Sequence, residues 1–241
     1  MSGRKMVIAA SKLAACAGMH PFKARADMVQ EFTRKYAPHR ASAGYVSAEM
    51  AARRALAALP PEKRARVEGA IQTARTATSS SEVMALVPCD ADLPPEVVAL
   101  AQSEMSTAFG TRNEDRARSA FGAASGARVV KDDVYTECRA PWFSMGDVDV
   151  FLGGMHDGIT ERPDGTRAIV EVKSRMRRML GVPTYERVQV HAYMHIFGVD
   201  SAVLVESFGG EEREHAVDMD AAFWDGVRER ATEFVADVLG P

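Results

Sequence analysis

Asp157, Glu171 and Lys173 are the residues whose types and spacing could do chemistry. They stand in the pattern Met155-His156-Asp157-Gly158 … Ile169-Val170-Glu171-Val172-Lys173. Side chains two apart on a strand point the same way, so Glu171 and Lys173 share one face and Val172 points to the other. Two carboxylates suit a hard cation such as Mg²⁺, which prefers oxygen ligands. A lysine beside that cation could place or deprotonate a water. Together these are the parts needed to cut a phosphodiester. A surface hairpin carrying three solvated charges would show the same pattern.

Neighbouring residues strengthen the first reading. Ala168, Val170 and Val172 form an apolar face opposite the charged one, so the strand is expected to be half buried. Glu114, on a helix that precedes the sheet, can supply a third acid, or it can form a surface i,i+4 pair with Arg118. Gln189 and Tyr193 lie four apart, hence on one face of the helix after the lysine strand. His191 and His195 have H-x3-H spacing but lie around the helix from Gln189, and they read as core or surface histidines. Trp142 and Phe143 read as core packing, and the methionines as flexible core filler.

The elements that must position these residues follow from pattern and punctuation. Helices are expected at 11–17, 23–36, 113–124 (with Asn113 as N-cap), 183–197 and 220–238. Strands are expected at 127–136, 146–152, 157–161, 167–174, 201–207 and 213–218. Pro163-Asp164-Gly165 makes a hairpin of the 157–161 and 167–174 pair. Residues 40–104 are rich in Ala, Arg, Glu and Ser, with breaks at Pro60-Pro61, Ser79-Ser80-Ser81 and Pro94-Pro95. They read as two or three helices, an insertion or helical cap without assignable chemistry. The organisation is one domain over 1–241: a helical N-terminal part at 1–104 and a catalytic α/β core at 105–241, a mixed sheet covered by helices.

Composition narrows the classes. The 241 residues suffice for one core, and 46% hydrophobic with 26% charged residues is ordinary for a globular chain. A net charge of −3 gives no global basic field, so any nucleic-acid contact must be local. One such cluster, Arg175, Arg177 and Arg178, directly follows the lysine strand, where DNA phosphates would lie. Three scattered cysteines (Cys16, Cys89, Cys138) argue for a reducing compartment and against an iron–sulfur cluster or structural zinc. No apolar run reaches the roughly 18 residues of a membrane span, and the N-terminus is too weakly apolar for a signal peptide. A cytoplasmic protein is expected, or a nuclear one if from a eukaryotic virus, and not a secreted one.

Phe109-Gly110-Thr111-Arg112-Asn113-Glu114-Asp115-Arg116-Ala117-Arg118-Ser119-Ala120-Phe121 resembles the G-x-x-x-E-x-x-A-R-x-x-[FY] helix of the lambda exonuclease, or YqaJ-like alkaline exonuclease, family. Gly154-Met155-His156-Asp157-Gly158 resembles that family's S-P-D-G segment, with His156 in place of the proline. Glu171-Val172-Lys173 resembles its E-x-K, and Val188 to Met194 its glutamine-bearing helix. The likeness runs from about 105 to 207, with a shorter piece at the N-terminus.

The resemblance implies an α/β fold with the restriction-endonuclease-like core of the PD-(D/E)xK superfamily. It implies a Mg²⁺-dependent 5′→3′ exodeoxyribonuclease acting on double-stranded DNA ends, with Mn²⁺ able to substitute, in viral or phage recombination. Asp157, Glu171, the main-chain carbonyl of Val172 and Glu114, the last perhaps through water, would hold one or two ions. Lys173 would position or activate the water, Gln189 would orient both, and Tyr193 would pack behind. Arg4 and Ser11 would bind the 5′-phosphate, although Ser11 could equally be a helix N-cap and Arg4 a loose terminal residue. A toroidal trimer and a single-strand annealing partner are implied as well. The rival expectations are a structure-specific or restriction-like endonuclease on the same fold, and a non-catalytic nucleic-acid-binding module.

Overall fold

The computed structural model describes residues 3–88, 92–131, 133–161 and 165–240. The chain opens with a strand, β1 (Arg4–Ala9), that runs straight into helix α1 (Ala10–Cys16). Sequence pattern did not reveal β1, because its alternation covers only Met6 and Ile8, which are fully buried. Helix α2 (Arg25–Tyr36) follows, and then α3 (Ala48–Ala58), α4 (Pro61–Ala74) and α5 (Ser80–Leu86). Their starts obey local rules. Ser47 and Ser79 accept the Met50 and Glu82 amides, each at 3.2 Å, while Pro61 takes the first position of α4. Three complete helices lie within 40–104, where two or three were expected, and a fourth begins there at Pro95.

Helix α6 corrects the expected layout. It runs unbroken over Pro95–Ser125, 31 residues, from Pro95 at its first turn to Gly126, which closes it at φ +65°. Asn113 is therefore no N-cap; it sits in mid-helix and donates its side-chain amide to the Phe109 carbonyl at 2.8 Å. The expected border between a helical part and a catalytic core at 104/105 falls inside this helix. Its first half packs with Val67, Ile71 and Val83 of α4 and α5 through Val97, Ala101 and Met105. Its second half packs Ala117 and Phe121 onto Val170, Val172 and Val205 of the sheet. One rigid rod thus belongs to both layers.

The strands form two sheets. One joins β1 in parallel to β5 (Val148–Gly154), with β3 (Thr136–Glu137) and β4 (Phe143–Met145) antiparallel to β5. The other has the order β2–β6–β7–β8–β9, comprising β2 (Arg128–Val130), β6 (Gly158–Glu161), β7 (Arg167–Ser174), β8 (Ser201–Phe208) and β9 (Glu211–Asp218). Among the described residues, only β7 and β8 are parallel in that sheet, joined by α7 (Thr184–Phe197) as the crossover helix. The expected single strand at 127–136 is instead two short pieces, and the one at 146–152 starts only at Val148, after the turn at Gly146 (φ +58°), and runs on to Gly154. β6 and β7 pair antiparallel as expected of a hairpin. Pro163 and Asp164 of the expected turn, and Cys89, lie outside the described residues.

β7 is central and buried on both faces rather than on one. Val170 and Val172 meet α6, while Ile169 joins a core built from α1, α7 and the last helix, α8 (Ala221–Leu239). Trp142 and Phe143 are packed in that core, as expected; Trp142 stacks on Trp224 with ring centroids 4.9 Å apart. His191 belongs there too: fully buried, it contacts the Arg187 carbonyl through Nδ1 and accepts the Asp220 amide through Nε2. His195 lies against Trp142 and Trp224.

Candidate active site

A carboxylate buried in the middle of a sheet must be matched by partners or by a cation. Glu171 is 2% exposed, on the β7 face that looks toward α7. Its Oε1 accepts the Lys173 ammonium at 2.6 Å and the Gln189 side-chain amide at 3.0 Å. Its Oε2 is buried and has no hydrogen-bond partner among the described residues. Lys173 also reaches the Gln189 side-chain oxygen at 3.4 Å, and Gln189 donates to the Tyr193 hydroxyl at 3.1 Å. Glu171, Lys173, Gln189 and Tyr193 therefore form one connected polar group, because the period of the strand and that of the helix both point inward here.

Asp157 sits immediately before β6. Its Oδ2 accepts the main-chain amide of Val172 at 2.8 Å, which ties the loop to the centre of β7. Its carbonyl accepts Arg118 Nη1 at 3.1 Å, so α6 holds the same loop from the other side. Arg118 also pairs with Asp115 at 2.6 Å, not with Glu114 as a surface i,i+4 pair would require. Sequence reading placed Arg118 only as a salt-bridge partner. Its role as a brace for Asp157 depends on a contact across 39 positions, which spacing does not reveal.

The electrostatics agree with a site short of positive charge. Glu171 is pushed up to about 8 by burial; Lys173 opposes this, and Asp157 and Glu114 add to it. Glu114 is raised as well, first by burial and then by Asp157, which places it within electrostatic reach of the pair. Burial works against the charge on Lys173, yet Glu171 outweighs it and the lysine is raised. Burial raises Tyr193 far above an ordinary phenol, so it stays protonated. Among the described residues no three His, Cys, Asp or Glu side chains converge into a ready-made cation cage. Asp157 and Glu114 both raise Glu171, Asp157 the more strongly.

Gly154 closes the arrangement from behind. A Cβ there would lie 2.7 Å from the Tyr193 ring and 3.3 Å from Ala10. This glycine lets the end of β5 approach α7 closely enough to fix Tyr193.

The remaining expected residues divide. Arg175 does not face solvent: it is 8% exposed, donates to Glu186 at 2.6 and 2.7 Å, and to Glu206 at 2.5 Å. Glu206 also accepts the Leu180 and Gly181 amides, each at 2.9 Å, so Arg175 clips down the loop between β7 and α7 rather than meeting DNA. Arg177 and Arg178 are exposed on that loop. Arg4 is ion-paired with Asp147 at 2.9 Å at the start of β1. Ser11 lies past the end of that strand, beyond five steps of about 3.3 Å. The structure thus separates Arg4 from Ser11. Ser11 is exposed in the first turn of α1 and does not cap it; the cap position is Ala9.

A family profile described as the YqaJ-like viral recombinase domain matches residues 1–200. The chain belongs to this family. Membership supports a DNA exonuclease, a phosphodiester hydrolase, as its class, with DNA as substrate. Among solved structures, LHK-Exo in complex with dAMP is similar at 13% identity and a TM-score of 0.50, covering 96% of this chain and 87% of that one. That likeness shows the fold, the mixed α/β architecture of the PD-(D/E)xK enzymes. The alkaline exonuclease LHK-Exo from Laribacter hongkongensis also matches, at 14% identity and a TM-score of 0.43, over 71% of this chain and 92% of that one. A phage related exonuclease from Haemophilus somnus 129PT matches at 13% identity and a TM-score of 0.40, over 55% and 70%. None of the curated proteins matches the sequence significantly. No helix among the described residues is long and apolar enough to cross a membrane.

Proposed function

We propose that the chain is a Mg²⁺-dependent 5′→3′ exodeoxyribonuclease that digests linear double-stranded DNA and leaves 3′ single-stranded tails for recombination. The observation that carries the metal requirement is Glu171 Oε2, buried without a partner beside a second carboxylate. The donor set is all oxygen and fits a hard divalent cation: Asp157, Glu171 and the Val172 carbonyl, with Glu114 acting through water. When bound, the ion supplies charge neutralisation at the scissile phosphate and lowers the pKa of a water.

The protein's own groups then have distinct tasks. Lys173, held by Glu171 and Gln189, presents its ammonium to the attacking water or to the charge developing on phosphorus. Gln189 fixes both Lys173 and Glu171, and Tyr193 fixes Gln189 as a neutral phenol. Arg118 and the Val172 amide hold Asp157 in place before any ligand arrives. Ser11, exposed in the first turn of α1, would be the residue that meets a terminal phosphate. Arg177 and Arg178 are the exposed cations that follow the catalytic strand. Assembly as a ring-shaped trimer and cooperation with a single-strand annealing protein complete the reading by family resemblance.

Digestion of 5′-phosphorylated linear, 5′-hydroxyl linear and closed circular duplex with Mg²⁺ tests it. Degradation of the 5′-phosphorylated linear duplex alone is expected. Cutting of the circle would replace the exonuclease by an endonuclease, and three intact substrates would leave a binding module.

A further inference from the structure

Phe22 is the most exposed large hydrophobic side chain among the described residues, at 81%. It does not stand alone. Its ring centroid lies 6.0 Å from His20 and 6.2 Å from Tyr185, both near edge-on, and His20 is 4.8 Å from Tyr185. The loop is built to hold this ring outward, since the Phe22 main-chain amide donates to His20 Nδ1 at 3.1 Å. A ring nitrogen that accepts must be unprotonated, and burial together with Lys23 lowers His20, keeping it neutral.

The place of this cluster matters more than its exposure. Tyr185 lies exactly one i,i+4 step before Gln189 on α7, so the two share a face with Cβ atoms about 5–6 Å apart. Gln189 in turn touches Lys173 and Glu171. The aromatic group therefore begins one helical turn from the Gln189, Lys173 and Glu171 side chains, where the phosphodiester would be cut. Lys23 adds positive charge beside it, and Phe22 is not among the side chains packed into or against the core clusters.

We infer that Phe22, supported by His20 and Tyr185, is a stacking platform for an unpaired base of the strand being cut, next to the scissile phosphate. This rests on the nuclease reading above. Every base has a π-face, so such a platform holds a frayed end without reading sequence. It would keep the cut strand apart from its complement while Lys173 and the carboxylates work on the phosphate.

Two measurements on the full chain test it. The first compares kcat/KM on duplexes whose terminal nucleotide on the cut strand is natural or abasic. Wild type is expected to lose about tenfold on the abasic end, the scale of one stacked base. Phe22→Ala should show that loss on the natural end and nothing further on the abasic one, while Phe22→Trp stays near wild type. The second follows the fluorescence of 2-aminopurine at the same terminal position, with Ca²⁺ in the buffer. Quenching by wild type and its loss in Phe22→Ala are expected. The platform is overturned if Phe22→Ala digests and quenches like wild type, or if the two losses multiply. It is equally overturned if Phe22→Ala changes the sedimenting mass, which would make the ring a contact between copies. Failure of wild type to digest any duplex, with Phe22-dependent quenching intact, would sink the nuclease reading and leave the platform standing.

Discussion

Glu171 meets Lys173 at 2.6 Å through one carboxylate oxygen, while its other oxygen lies buried with no partner among the described residues. A strand that places an acid and a lysine two residues apart brings them onto one face, but an apolar sheet interior does not tolerate half a carboxylate left bare. The site is therefore under electrostatic stress without a cation, and that stress can be measured.

Glu171 has a folded pKa of about 8, above its ordinary carboxylate value. A raised pKa means stability that is full below about pH 4.5 and is lost as pH climbs through about 8. In EDTA, urea unfolding of wild type should show this loss between pH 5.5 and 8.5, on the order of a few kcal/mol. Glu171→Gln should flatten that dependence and, at pH 8.5, be more stable than wild type, while losing digestion entirely. Equal pH slopes for the two proteins would contradict the assignment.

Asp157→Ala and Lys173→Ala should each reduce digestion of linear duplex by at least about 100-fold, the scale of one positioned acid–base or electrostatic group. Gel-shift affinity for duplex should persist in both. Retained cleavage by either variant would remove that residue from the site.

Gly154→Ala puts a methyl 2.7 Å from the Tyr193 ring. The ring must move, and Gln189 with it, so we expect a loss of about 1–3 kcal/mol in stability and a fall in kcat larger than any change in KM. Wild-type kinetics in this variant would show that Tyr193 does not position Gln189.

The three arginines after β7 should separate cleanly. Arg175→Ala leaves Glu186 and Glu206 buried without their guanidinium and should cost about 3–5 kcal/mol, read by thermal or urea unfolding. Arg177→Ala with Arg178→Ala should leave stability unchanged, raise KM, and shrink the salt dependence of DNA binding by roughly one to two charges. A large stability loss in the second pair, or none in the first, would reverse these roles.

How much was legible beforehand depended on whether a signal was local. The hairpin positions of Asp157 and Glu171, the β7 face shared by Glu171 and Lys173, and the α7 face shared by Gln189 and Tyr193 all follow from strand and helix periods. Of the side chains read as core or surface, Trp142 and His191 are buried, while His195 is exposed beside the two tryptophans. Asn113 misled because a good N-cap type in mid-helix can bond back to the carbonyl four residues earlier, as it does to Phe109. Strand β1 was missed because a six-residue segment gives too little alternation to separate it from the start of a helix.

Sequence alone determined the chemistry available here: two acids and a lysine in fixed order, with a third acid before them and a glutamine after, on elements whose periods point them inward. Tertiary structure decided which charges are free to act. Arg175 looked like a DNA contact and proved to be a buried clip between Glu186 and Glu206. Arg4 looked like part of a phosphate pocket and lies at the far end of β1, paired with Asp147. Arg118 became the brace of Asp157. The physical reason is common to all three. A charge's role is set by burial and by partners distant in the chain, and neither is written in its neighbours.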